Sequence, residues 1–307
     1  GPDDIYFTDV DGIPLQIETI RNKGSQYQWS FSYGGNVNDL LYFGLGLGIV
    51  DLNYRSERVY SESFVVDPLF ETELTEVLEI GGTGVNGTIG FILKPAPFIN
   101  IGASFISPTY YGLDDTYTAD MYADWNNYLY EDAIDGDTLL NFVSSQTDIL
   151  ISDYNLTTPW RLNGGVAFFI GKIGFITADV EYIDYSTVKL NSNLFSMGDD
   201  NEAIKQMASA VVNFKTGAEF RINALRLRAG YANYSTAQGT LDPLEGNSNV
   251  FTGGLGIRLN KFYIDLGVVH NQLSQSYAPY LIEQGVTPVA DITSNNTKMM
   301  LTMGFNF

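Results

Sequence analysis

Charged side chains occur at every second position in several apolar segments, and these residues have the types and spacing that could support chemistry. Residues two apart in a strand lie on one face of a sheet, so opposite charges on neighbouring strands can pair across that face. We expect a charge network on the inner wall of a barrel, with a gate or polar site at one end as the alternative. Its predicted members are Arg161, Asp179, Glu181, Lys215, Glu219, Arg221, Arg226, Arg228, Arg258 and Asp265.

Several classes of chemistry are excluded by composition. The chain has no cysteine and a single histidine, His270, which leaves no thiol nucleophile and no pair of histidines for a metal. No nucleophile stands beside Glu219 or Asp265, so we expect no enzyme, no metal and no cofactor. Sixteen basic residues against 36 acidic residues give a net charge of −20, which argues against nucleic acid as a partner.

Strict alternation of apolar with small or polar residues is the dominant pattern. Residues 41–49, LYFGLGLGI, place a bulky apolar side chain at every odd position, which predicts a strand with one apolar face. About eleven segments follow this pattern, and their cores have the roughly 9–12 residues that cross a bilayer at a tilt. They lie near residues 27–34, 41–49, 85–94, 99–105, 161–170, 176–182, 212–221, 225–231, 251–259, 262–268 and 298–307.

Connections between these segments alternate between short and long. The short ones lie near residues 36–40, 94–98, 171–174, 222–224 and 260–261, and the long ones near 51–80, 107–158, 186–208, 235–249 and 271–294. Most acidic residues fall in the long connections, while basic residues gather towards the short ones. A soluble sandwich would alternate in the same way, but outer-membrane barrels have short periplasmic turns and long extracellular loops. We therefore predict an all-β fold, a transmembrane antiparallel β-barrel, with residues 1–307 as one domain in the outer membrane of a Gram-negative bacterium.

The last segment ends on Phe307, preceded at alternate positions by Phe305, Met303, Leu301 and Met299. This pattern resembles the terminal aromatic signal of outer-membrane barrels, whose last strand runs from the outside to the periplasm. Counting back eleven strands makes residues 1–25 an extracellular loop segment. Since bacterial barrels have an even number of strands with both ends in the periplasm, we expect either a count wrong by one or a chain that is the C-terminal part of a longer barrel.

Four stretches resemble the family of the long-chain fatty acid transporter FadL: residues 29–49, 100–111, 158–186 and 214–235. The resemblance is most specific at Pro159, Gly164, Asp179, Glu181, Tyr182, Arg228, Gly230 and Tyr231. It implies a fourteen-stranded barrel with an N-terminal hatch in the lumen. The charge network would rigidify the wall and anchor this hatch. The hatch and three strands, including the third strand whose kink forms the lateral exit in the family, would then precede Gly1.

The function implied by the resemblance is passive transport of hydrophobic small molecules of the fatty-acid kind. The alternatives are a non-transporting barrel that serves as a subunit of a larger outer-membrane secretion or assembly complex, and a general polar porin. Expected partners are outer-membrane lipid, a hydrophobic ligand or detergent, the missing N-terminal part of the barrel, and other complex subunits.

An apolar lip for such a ligand could lie at the outer ends of the strands. Its candidate residues are Tyr110, Tyr111, Leu194, Phe195 and Met197. An interfacial aromatic girdle for the two tyrosines, and a small surface helix over residues 199–210, are the alternative interpretation.

Overall fold

A computed structural model describes residues 10, 12–65, 68–131, 136–237, 246–279 and 288–305. The described chain is all-β apart from a three-residue 3-10 helix, Tyr185–Thr187, and one α-helix, α1, Gly198–Met207. The all-β prediction is therefore confirmed. Phe307, the residue on which the terminal signal ends, lies outside the described residues.

Fifteen strands form one sheet with antiparallel pairing. Their bounds are β1 Leu15–Val37, β2 Leu41–Ser63, β3 Leu69–Ala96, β4 Ile99–Ile106, β5 Tyr110–Tyr130, β6 Thr138–Gln146, β7 Leu150–Thr157, β8 Arg161–Ile170, β9 Gly174–Asp184, β10 Lys189–Asn191, β11 Ala210–Ile222, β12 Leu225–Ser235, β13 Gly246–Arg258, β14 Phe262–Tyr277 and β15 Ala290–Phe305.

The structure divides into two compact units. Unit 1 comprises residues 1–27, 51–83 and 112–154, and unit 2 comprises residues 28–50, 84–111 and 155–307. Of the charged residues, 23 acidic and 4 basic side chains belong to unit 1, a net charge of 4 − 23 = −19, whereas unit 2 has 13 acidic and 12 basic residues, a net charge of −1. The acidic excess of the chain is thus a property of unit 1. The assignment of residues 1–307 to one domain stays a prediction.

Unit 2 is built from consecutive hairpins. In this unit β4 pairs with β8, β8 with β9, β9 with β11, and each later strand with the next as far as β15. The connections at residues 38–40, 97–98, 171–173, 223–224 and 259–261 are short, as the sequence predicts. At the first of them Asn38 and Asp39 both have positive φ, 53° and 54°, which is the backbone of a tight two-residue hairpin and suits these residue types.

Every one of the eleven predicted strands coincides with an observed strand, but the count of about eleven was too low. The additional strands β5, β6, β7 and β10 lie within residues 107–158 and 186–208, which were predicted as long loops. Residues 15–25, predicted as a loop segment, belong to β1, and residues 51–63 and 69–80 belong to β2 and β3. These stretches mix acidic, polar and aromatic residues on both faces, so apolar alternation does not reveal them.

Many apolar side chains of unit 2 are exposed. Trp29 and Phe31 on β1 are 61% and 64% exposed, and Leu45 and Leu47 on β2 are 52% and 53% exposed. Buried apolar side chains are few among the described residues: Val50, Leu69, Tyr111, Leu113, Ile183 and Val211. This arrangement is the reverse of a soluble sandwich, whose apolar faces pack against each other, and it is the one expected of a wall that faces lipid.

Candidate ligand cavity and charge cluster

The concave face of unit 2 is formed by the residues that alternate with the exposed apolar ones. On β2 these are Tyr42, Gly44, Gly46 and Gly48. Neighbouring strands continue the face with hydroxyl, amide or small side chains, as the register of Asn100 opposite Ala167 and of Ser104 opposite Asn163 shows. The period of two therefore gives this part of the sheet an inner surface of small and polar groups.

A cavity of about 870 Å³ opens on this surface. It is lined by residues of β1, β2, β3, β4, β8 and β9, eight of which are glycines. Among the described residues of the lining, Asp179 alone is charged. A cavity of this volume has the size of a small-molecule site. Glycine, alanine, serine and threonine make up about half of its lining, which also includes Phe31, Phe43, Leu45, Leu47, Phe91 and Ile92.

Polar side chains occupy the space above glycines of neighbouring strands in this wall. A Cβ at Gly48 would stand 2.6 Å from Asn86 Oδ1 and 2.7 Å from Gln28 Nε2, and a Cβ at Gly165 would overlap the carboxylate of Asp179. The side chains of the facing strands occupy the space that a larger residue would fill. Glycine at these two positions therefore keeps the polar groups out of the cavity centre.

The predicted charge network is partly assembled, as a cluster on β11, β12, β13 and β14. Glu219 accepts hydrogen bonds from Arg221 Nε at 2.6 Å and Arg228 Nε at 2.7 Å, and an Arg228 amino group donates to Asp265 Oδ1 at 2.7 Å. Arg258 lies 3.7 Å from the other oxygen of Asp265. Register explains the assembly, since Glu219 pairs with Arg228 and Asp265 pairs with Gly256, whose missing side chain leaves room for the carboxylate.

The other predicted members of the network lie apart from this charge cluster. Lys215 Nζ is 3.9 Å from Glu181 Oε1, which also accepts a hydrogen bond from Asn213 at 2.9 Å. Arg226 donates to the backbone carbonyls of Asn223 and Leu225. In the described chain neither Arg161 nor Asp179 forms a salt bridge.

The candidate apolar lip is not one uniform surface. Tyr110 and Leu194 are exposed, but Tyr111 is buried, and its ring lies where a side chain at Gly84 would stand. Tyr111 is therefore a packed wall residue and offers no surface to a ligand, in contrast to the expectation. Phe195 is exposed and Met197 is half-buried just before α1, so the helix expected over residues 199–210 is present and ends at Met207.

Unit 1 has an ion-pair system that sequence reasoning missed. Arg58 bonds to Glu18 and, at 3.2 Å, to Glu76, and Glu76 accepts a hydrogen bond of 2.6 Å from the Tyr117 hydroxyl. A second set joins Arg21 to Glu57 and Arg55 to Glu57 and Glu79. The sequence feature that could have revealed these ion pairs is the position of the three arginines of unit 1, Arg21, Arg55 and Arg58, in two segments that contain glutamates.

No helix among the described residues is both long and apolar enough to span a membrane. No group of three or more histidine, cysteine, aspartate or glutamate residues in the described part of the chain is placed to hold a metal ion.

No protein-family model and no curated protein matches the chain. Among solved structures, the chain is similar to the toluene transporter TodX of Pseudomonas putida, with 13% identity, a TM-score of 0.45 and coverage of 96% of this chain and 89% of that one. It is also similar to the toluene transporter TbuX of Ralstonia pickettii (15%, 0.44, 95% and 88%) and to the monoaromatic hydrocarbon channel CymD (12%, 0.43, 97% and 89%).

Proposed function

We propose that this chain forms most of an outer-membrane β-barrel through which hydrophobic small molecules cross by passive diffusion. The observation that carries the proposal is the two-sided wall of unit 2. Its apolar side chains are exposed on one face, and the other face surrounds a cavity of about 870 Å³ with one charged residue in its lining. A wall of this kind is stable in lipid and offers a space with few charges on its inner side.

The edges of the sheet bear on how the barrel closes. In the described chain β1 pairs with β2 and β15 pairs with β14. Unpaired backbone groups at either edge would be costly in lipid, so the proposal requires closure. Both edge strands run towards the end with short turns, because β1 leads into the first of them and Phe305 pairs with Phe262 after the last.

Direct pairing of β1 with β15 would therefore be parallel in an otherwise antiparallel sheet. An odd number of inserted strands keeps every pair antiparallel. Three of them, added to the eleven strands that lead from β1 through β2, β3, β4, β8, β9 and β11 to β15, would give the fourteen strands that the FadL resemblance implies. We propose that such strands, from the N-terminal part of the same barrel, close the sheet. The chain lacks cysteine, so cysteines at Phe31 and Leu301 test this cleanly: crosslinking in the membrane would contradict the inserted strands.

Obstruction of the cavity tests the transport proposal. A Cβ at Gly102 meets only Phe91 O at 3.6 Å and Ile92 Cγ1 at 3.8 Å, so Gly102→Trp can project into the cavity without disturbing the wall. Gly253→Trp is the matched control, since Gly253 alternates with the cavity-side residues of β13 and nothing lies within 4 Å of a Cβ there.

The assay is uptake of the hydrophobic dye 1-N-phenylnaphthylamine by cells that produce the protein. We expect faster uptake than in cells without the protein, a loss of that gain with Gly102→Trp, and retention with Gly253→Trp. Equal uptake with and without the wild-type protein would contradict transport and favour the role of a complex subunit. Rapid uptake of polar solutes with no gain for the dye would favour a porin.

A further inference from the structure

The charge of the cavity lining is one-sided. Asp179 is exposed to the cavity, and no lysine, arginine or histidine is present among the lining residues that the structure describes. The remaining polar groups are neutral hydroxyls and amides, such as Ser32, Thr88 and Asn163. A ligand in this space meets hydrogen-bonding groups and one carboxylate, but no cation.

The carboxylate of Asp179 is available to a ligand because it is not bonded to other residues of the described wall. Its carboxylate occupies the space above Gly165, the residue opposite it on β8. No hydrogen bond or ion pair joins Asp179 to another residue of the described chain. This contrasts with Asp265, which has the same seat above a glycine, Gly256, but is bound by Arg228.

Lys215 is the residue that could have neutralised Asp179, since the two face each other in the register of β9 and β11. Its ammonium group instead lies 3.9 Å from Glu181 Oε1 and 5.4 Å from the centre of the Tyr234 ring. Lys215 is thus engaged away from the cavity, and the negative charge of Asp179 faces the open space uncompensated.

We propose that the cavity is a binding site for hydrophobic amines, with the ligand ammonium group on Asp179 and the apolar part along the glycine-rich wall. The inference rests on the proposed function and names its substrate class. A carboxylate of the fatty-acid kind finds no cation in the lining and is repelled by Asp179. Specificity of this kind arises from a favourable pair with one ligand and an unpaired, repelled charge with its competitor.

Binding of three probes with the same apolar chain tests this: octylamine, 1-octanol and octanoate, which are cationic, neutral and anionic at neutral pH. The full chain in nanodiscs is titrated by calorimetry, and the heats of empty nanodiscs are subtracted. We expect octylamine to bind about two- to fivefold more tightly than octanol, the range of a partly exposed ion pair, and octanoate to bind most weakly.

Three variants separate the causes. Asp179→Asn removes the charge and is expected to bring octylamine to the affinity of octanol while leaving octanol unchanged. Gly165→Ala displaces the carboxylate from its seat and is expected to weaken octylamine in the same direction. Asp199→Asn, on α1, removes a charge outside the cavity lining and is expected to change nothing.

The outcomes are distinguishable. An unchanged amine preference in Asp179→Asn, or tightest binding of octanoate by the wild type, overturns the amine site while the transport proposal stands. Failure of all three probes to bind overturns both. Octanol binding reports the integrity of each variant, and Gly165→Ala serves if Asp179→Asn does not fold.

Discussion

Replacement of Arg228 by methionine is expected to destabilise the sheet of unit 2. Arg228 bridges Glu219 and Asp265 by two hydrogen bonds of 2.7 Å, and the side chains of both acids are largely buried, with 9% and 17% exposure. Each charge-assisted bond is worth about 1.5–3 kcal/mol. Glu219 keeps Arg221 as a partner and Arg228 is itself one-third exposed, so we expect a net loss of about 2–4 kcal/mol.

Reversible urea unfolding in vesicles, followed by tryptophan fluorescence and by gel mobility, measures this loss. At a urea dependence of about 3 kcal/mol per molar, the midpoint should fall by about 1 M. Arg226→Met is the matched control on the same strand and face, because Arg226 bonds only to backbone carbonyls of its own hairpin. A double-mutant cycle with Glu219→Gln should give a coupling above about 1 kcal/mol. Equal midpoints for Arg228→Met and Arg226→Met would refute the reasoning.

Three further outcomes are expected. Leu47→Arg, on the exposed apolar face, should cost about 2–4 kcal/mol of unfolding free energy in vesicles, whereas Gly102→Arg, on the cavity face, should cost clearly less; similar losses would mean that the faces are assigned wrongly. Gly48→Leu should lower the unfolding midpoint, because its side chain meets Asn86 and Gln28, while Gly253→Leu should not. The pKa of Tyr117 in unit 1 is raised above the usual 10.0, chiefly by the hydrogen bond to Glu76. The stabilisation linked to this shift is therefore present below pH 10.0 and lost as the phenol ionises at higher pH. The difference in unfolding midpoint between wild type and Tyr117→Phe should shrink from about pH 8 to about pH 11, and a constant difference would contradict the contact.

Alternation predicts the strands of unit 2 because their apolar side chains recur at every second position, as the proposed contact with lipid requires. Residues 41–49 show why: three glycines on one face and five bulky residues on the other leave one arrangement. Unit 1 has no such requirement. β5 and β6, for example, are held by cross-strand contacts such as the stacking of Tyr122 on Phe142 at 5.4 Å, and their residue pattern is that of a polar loop.

The candidate site was predictable in composition but not in pairing. Alternation of residues between the two faces of a strand is enough to place Glu219, Arg228 and Asp265 on one face of the sheet. The structure shows that they are bonded to one another. This alternation does not reveal which residues of neighbouring strands lie opposite each other. That register places Lys215 opposite Asp179. The direction in which Lys215 then turns, towards Glu181, depends on side-chain conformation, so the isolation of Asp179 was visible only in three dimensions.

The absence of native cysteine allows the most direct test of a membrane wall with an apolar outside and a small, polar inside. Single cysteines at Tyr42, Phe43, Gly44, Leu45, Gly46 and Leu47 are labelled with a fluorophore in vesicles that contain brominated lipid. We expect strong lipid quenching at residues 43, 45 and 47 and weak quenching at residues 42, 44 and 46. Uniform quenching along the strand, or quenching at none of the six positions, would contradict a strand that separates lipid from a passage.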